Sequence, residues 1–356
     1  MKLKYLLILI ALVLCTANIA SAAVRIAEDE RRVEQTVAAE PNVIISLCIA
    51  SGSITVRGWE RNEVQASSGD AETIELRRAS TTGPASRIEV LIADLSDGPR
   101  TQAGSCSAFS DIELNVPHGA IVQLQTRDGD INVSDVAEAR VETQNGDIDL
   151  ERISRLVEAK CLSGDISLKD STGRVVLGSV SGSVEATNVR SITAGDDFEA
   201  GTVSGDVMLD QISHAQVHAK SVSGSVNMTG PLAHGGRYDF KTMSGDVTLA
   251  LPSDSSFKVN AKVAHGGEII SDFTITPIEN TPQGRKDRVS PTPVVAPPPN
   301  ASPSANPLPA PEPAPAPEPA PLPDPHGMER LNGIFGSGDA TLNLASFSGT
   351  VHLRRR

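Results

Sequence analysis

The chain has 356 residues, a formal net charge of −13, and few aromatics: one Trp, two Tyr and seven Phe. That acidic balance excludes attraction to nucleic acid or to an anionic membrane surface by charge, so a charged partner is expected to be cationic. The length allows one large domain or two ordinary ones, with a core that must be aliphatic.

Residues 1–22, MKLKYLLILIALVLCTANIASA, combine a basic start, an apolar run and the small-residue pattern Ala20-Ser21-Ala22. This reads as a secretory signal peptide. Leu14 stands before Cys15 where a lipid anchor would want a small residue, so ordinary cleavage is expected. The protein is therefore expected to be exported to the periplasm, the cell surface or the medium. No later segment is apolar and long enough to span a bilayer, so no transmembrane segment is expected in the mature chain.

Residues 23–118 read as an N-terminal β region with a first coil. Ile45, Leu47, Ile49, Ile54 and Val56 alternate around Gly52. The stretches TIEL, RIEVLIADL and DIELNVP are less regular but still alternate as strands.

Residues 119–275 repeat a corner. Gly129, Gly146, Gly164, Gly182, Gly205, Gly224 and Gly245 are separated by 17, 18, 18, 23, 19 and 21 residues, a period that signals a solenoid. Apolar residues stand two and four after each glycine (Ile131 and Val133 in the first) and five and seven before it (Leu124 and Val122). That is strand periodicity on both sides of a turn. Three before the glycine runs a small-residue column, Thr126, Thr143, Cys161, Ser179, Thr202, Ser221 and Thr242, in which Cys161 is expected to be a buried free thiol. The predicted fold is all-β: a parallel β-helix or β-solenoid of roughly 20-residue coils, stacked at about 4.8 Å.

Residues 276–330 form a Pro-rich insertion, with 16 prolines among the 35 residues from Pro291 to Pro325. Such a segment favours polyproline II and cannot build a core. The coil pattern returns in 331–356, where Leu342, Leu344, Ser346, Val351 and Leu353 surround Gly349. This piece is expected to be a terminal capping coil, making 23–356 one folded unit. If it leaves an edge bare, edge-to-edge self-association follows.

SGSITVRGWERNEV at 51–64, DIELNVPHGAIVQLQTRDGDINVSDV at 111–136, the serial Ser/Asn-Gly-Asp corners and the closing FSGTVHLRRR together resemble a bacterial family of β-strand-repeat domains of unknown function labelled as adhesins. The resemblance runs from about Val33 to Arg356, apart from the proline insertion and the cysteines. It implies a cell-envelope β-solenoid and carries no catalytic residues or cofactor.

Asp130, Asp147, Asp165, Asp206 and Asp246 follow their glycines directly, with Ser183 and Ser225 between acids from Asp165 onward. Calcium wants six to eight oxygen ligands. The ladder is a candidate for it, but the glycine-rich nonapeptide of calcium-binding β-rolls is missing. The favoured reading is that each side chain caps its own corner. His214 and His218 have the spacing of a helical metal pair yet fall where a strand is expected, and read as solvent-facing. His234 and His265 precede Gly-Gly pairs and read as markers of wider turns. Cys48 and Cys106 are, by elimination, the best disulfide pair in an exported chain, with three free thiols as the alternative.

Sugar cleavage on a β-helix needs a local cluster of acids in a groove, whereas here acids are spread one per coil. The expected function is a non-catalytic cell-envelope or surface module binding glycan, peptide or protein. A periplasmic envelope-stress sensor and a polysaccharide-active β-helix enzyme are the alternatives.

Overall fold

Alternating apolar residues on both sides of each corner glycine produce paired strands. Those strands bury their apolar columns only when coil stacks on coil. The computed structural model describes residues 32–71, 73–79, 82–93, 106–278 and 328–356, which form 26 strands and no helix. The proposed signal peptide and the proline-dense 291–325 stretch lie outside the described residues.

Each central rung has the same plan. An eight-residue strand such as Leu156–Ser163 lies in one parallel sheet, and the corner glycine follows. A shorter strand such as Ile166–Lys169 then lies in a second parallel sheet. Register is kept from rung to rung: Val157 pairs with Val175 and Ala139, and Ile166 pairs with Ile148 and Val184. Like residues therefore stack on like, and the four apolar columns form one continuous core between the sheets, with Val122, Leu124, Ile131 and Val133 buried in the Gly129 rung and Tyr238, Phe240, Val247 and Leu249 in the Gly245 rung. At about 1.5–3 kcal/mol for each fully buried large aliphatic side chain, core burial is the main term holding a rung to its neighbours.

A fifth core column lies seven after the glycine, at the return turn: Val136, Ile153, Ser171, Val189 and Ile212 are all buried. Just before it the backbone turns left-handed at Asp135, Arg152, Asp170, Asn188 and Gln211, with φ of 50–60°. Buried Ser171 replaces a hydrocarbon here and is satisfied on both sides, accepting from the Ile153 amide of the neighbouring rung at 3.1 Å and donating to the Lys169 carbonyl of its own turn at 2.8 Å.

Two rungs are out of chain order. The Gly52 rung is followed in sequence by strands that build outward from it: Ala85–Ala93 and Ile112–Pro117 pair on one side, while Ile121–Asp128 and Ile131–Ser134 pair on the other. At the far end the Gly349 rung, Ala340–Ser348 and Val351–Arg355, lies between the Gly245 rung and the rung of Phe257–Val263 and Ile269–Ser271. The expectation of a terminal capping coil over 331–356 is corrected for its larger part, because the coil from Ala340 to Arg355 is one rung inside. Covering falls instead to Glu329–Phe335, which runs antiparallel along Phe257–Val263. The opposite end is closed likewise by Thr73–Arg78 and Glu63–Ser68, antiparallel to Ala85–Ala93 and Ile112–Pro117. Antiparallel closing strands break the parallel template that another copy would extend.

Cys48 and Cys106 are joined by a disulfide that ties the outer face of the Gly52 rung to the approach to Ile112–Pro117. Cys161 is free and buried, and its thiol donates to the Gly146 carbonyl at 3.3 Å.

The corner glycine answers to two constraints. At Gly182 φ is +150°, and a Cβ there would lie 2.0 Å from the Gly164 carbonyl oxygen of the rung below. Gly182→Ala is expected to lower stability by about 3 kcal/mol or more, read from the urea midpoint. Ser181→Ala, at an exposed neighbour, should stay within about 0.5 kcal/mol of the parent.

Candidate functional site

The corner edge carries the aspartates singled out from the sequence. Their hydrogen bonds run between rungs and do not close their own corners. Asp130 accepts from the Asp147 amide at 2.9 Å, Asp147 from the Asp165 amide at 2.8 Å, and Asp165 from the Ser183 amide at 2.7 Å. Asp206 accepts from the Ser225 amide and Asp246 from the Thr350 amide, both at 2.7 Å. This corrects the own-corner reading: parallel stacking puts the next rung's amide nearer than any amide of the same turn. Ser183 does the same job with its hydroxyl, accepting from the Asp206 amide at 3.4 Å, so serine can replace aspartate. As calcium candidates, Asp130, Asp147, Asp165, Asp206 and Asp246 stand one per rung. No three His, Cys, Asp or Glu side chains converge as a cation site among the described residues.

A second ladder lies just inside. Ser179, Thr202, Ser221, Thr242 and Ser346 donate to the carbonyls of Gly164, Gly182, Gly205, Gly224 and Gly245 at 2.8–3.0 Å. Each corner is therefore stitched to its neighbours through both side chain and backbone.

Two residues before the corner glycines a third column points outward and is apolar: Leu162, Val180, Val203, Val222, Met243 and Phe347 are 44–57% exposed. Sequence reasoning missed it, although the glycine alignment already placed these residues in one column. Beyond it, Lys160, Lys220 and Lys241 are paired with Glu158, Glu199 and Asp239 at 2.6, 3.5 and 2.9 Å. Hydrogen bonding to Lys160 lowers the Glu158 pKa, and the same bond raises that of Lys160. An adjoining open groove of about 420 Å³ lies on the same sheet face beside the disulfide, lined by Gln123, Gln125, Arg140, Glu142, Glu158 and Lys160 among others. At the return turn, Arg152 grips Asp135 through two bonds of 2.6 and 2.8 Å and holds its carboxyl below the usual range.

The histidines part company. His218 lies half-buried on Gln216–Ser223, while His214 precedes that strand and is fully buried, contrary to the solvent-facing expectation. Its ring packs 5.5 Å from the Phe198 ring in a gap of the core, with Nε2–H donating to the Gly173 carbonyl at 2.8 Å and Nδ1 buried without a partner among the described residues. His234 sits in an exposed turn and pairs with Asp339. His265 has φ of 55° and stacks 4.3 Å from the Phe347 ring.

A family model, described as Toastrack DUF4097, matches residues 42–195 and 171–287, together well over half of the chain. The chain belongs to this family. The Toastrack match ends before the Gly349 rung, which the structure shows to be part of the same solenoid. No curated protein matches the chain. Among solved structures, a crystal structure of a "putative cell adhesion protein" from Clostridium sporogenes ATCC 15579 is similar at 10% identity and a TM-score of 0.20, covering 91% of this chain and 99% of that one.

Burial pushes the His214 imidazole below its ordinary value of 6.5, although the Gly173 carbonyl, Asp196 and Asp197 pull the other way. In the unfolded chain His214 takes a proton near pH 6.5, while in the folded chain it does so only at lower pH. The unfolded state then binds more protons, so stability falls as pH drops from 6.5 toward the folded value. His214→Gln is expected to flatten this dependence in urea unfolding between about pH 7.5 and 5. An unchanged slope would remove His214 as its source.

Proposed function

We propose that this Toastrack chain is an exported, non-catalytic binding module of the cell envelope, whose ligand is a glycan, peptide or protein held across several rungs. The observation that carries this reading is the distribution of its surface chemistry. Acids, hydroxyls and exposed apolar side chains recur in straight columns at no more than one of each kind per rung, as at Asp130, Asp147 and Asp165. Such columns suit many weak, repeated contacts, and they do not bring a general acid and a partner base onto one bond.

Export rests on the basic and apolar leader of 1–22. The ends of the expected 276–330 insertion are part of the fold, since Thr276–Pro277 and Glu329–Phe335 pair with each other, and the Pro-rich stretch between them then serves as a spacer. A protease-sensitive tag placed in that segment should be cut on intact cells if the module faces outward, and only after permeabilisation if it works in the periplasm. Cutting in neither state would overturn export.

Removing residues 147–182, which takes out two rungs and rejoins Gly146 to Ser183, should weaken binding to isolated cell envelopes while leaving a cooperative melt. Unchanged affinity in that folded variant would sink the distributed face. Release of sugar products from envelope polysaccharide, lost on changing one or two acids, would replace the binding role with catalysis.

A further inference from the structure

The outward apolar column is continuous. Ser163, Ser181, Ser204, Ser223, Ser244 and Ser348 are paired in register one rung after another, and so are Cys161 with Ser179 and Thr202 with Ser221. The side chains between these positions, from Leu162 through Val180, Val203, Val222 and Met243 to Phe347, therefore stack. Their row spans five rises, about 24 Å at ~4.8 Å each. Beyond Phe347 the His265 ring continues it, and Gln144 ends it at the other side. Single exposed apolar residues need no explanation, but six consecutive ones on a soluble face do.

The two flanks of the row differ in charge. On one side the three lysines are matched by Glu158, Glu199 and Asp239. On the other side, three residues along the chain, stand Asp165, Asp206 and Asp246. Each gives one carboxylate oxygen to the next rung's amide, and none has an ion-pair partner among the described residues. These acids recur every second rung, about 9.6 Å apart.

We propose that this edge docks a cationic amphipathic helix laid along the solenoid axis. An α-helix advances 5.4 Å per turn, close to one rung, and 24 Å accommodates about 16 residues. Its apolar stripe would cover the row from Leu162 to Phe347. Basic residues at i and i+7, about 10.5 Å apart, would meet the carboxylates of Asp165, Asp206 and Asp246. Charge complementarity selects this occupant over a second copy, because each copy carries the same acids at this edge and a net charge of −13. The inference rests on the binding role proposed above and specifies the partner's chemistry.

The test uses the full mature chain and a fluorescent 16-residue Leu/Lys peptide of amphipathic helical pattern, read by anisotropy from about 0.05 to 0.3 M salt. The double variant Val203→Ser, Val222→Ser changes only exposed positions and leaves the charge intact. It should weaken binding about ten-fold or more, as should scrambling the peptide. The pair Asp165→Asn, Asp206→Asn keeps the acceptor for the next rung's amide and should weaken binding several-fold while flattening its salt dependence. Equal binding of the scrambled peptide, or full binding by the serine variant, would reduce the effect to the general attraction of an acidic chain and overturn the proposal. A dimer in sedimentation that the serine variant abolishes would overturn it in favour of self-association. If the serine variant still binds isolated envelopes while neither protein binds the peptide, the envelope role stands and only the helix fails.

Discussion

The fold depends on the vertical registration of one corner upon the next. The Gly164 carbonyl accepts from the Ser179 hydroxyl at 3.0 Å, and the Asp147 carboxylate accepts from the Asp165 amide at 2.8 Å. Meanwhile the bare Cα of Gly182 leaves room for the Gly164 carbonyl, which a Cβ would meet at 2.0 Å. These contacts set the step between rungs. Once the step is set, all five core columns stack without further instruction, and a parallel pairing with little sequence locality becomes a chain of nearest-neighbour problems.

That repetition explains why the coil was legible from sequence. A column that must bury the same atoms on every rung leaves the same residue type at each of Ile131, Ile148 and Ile166. The bonding direction of the aspartates was hidden, because own-corner capping and rung-to-rung bonding call for the same residue at the same place. His214 was misread since its burial comes from contacts between rungs: the ring lies beside Phe198 and bonds the Gly173 carbonyl two rungs away, past the long return between Gly182 and Gly205. The exposed column at Leu162 and Val180 carries no fold signal at all. Outward positions are free of the packing constraint, and their apolar character became visible only once the inward columns had been assigned.

The same division separates what holds the protein together from what it presents. Inward columns and corner bonds consume the glycines, the hydroxyls and one oxygen of each corner carboxylate. What remains outside is a paired lysine flank, an apolar row and the free side of the acid ladder, all running along the axis. Recognition on such a surface is governed by length and pitch, so rungs can be gained or lost with graded effect. This differs from a single pocket, where one displaced side chain abolishes function.

The interleaved Gly349 rung has a consequence for how the protein comes to exist. Phe257–Val263 pairs on one side with Ala340–Ser348 and on the other with Glu329–Phe335, both of which are synthesised after it. Until residues 340–355 are made, the Gly245 rung has no neighbour on its open side, and the Phe257 rung with its Phe257, Phe273 and Phe335 cluster has nothing to stack on. A chain cut short before Ala340 leaves the Gly245 rung with a raw parallel edge in both sheets. Late-made residues are thereby written into the middle of the solenoid's end, so that its closure waits on strands distant in sequence.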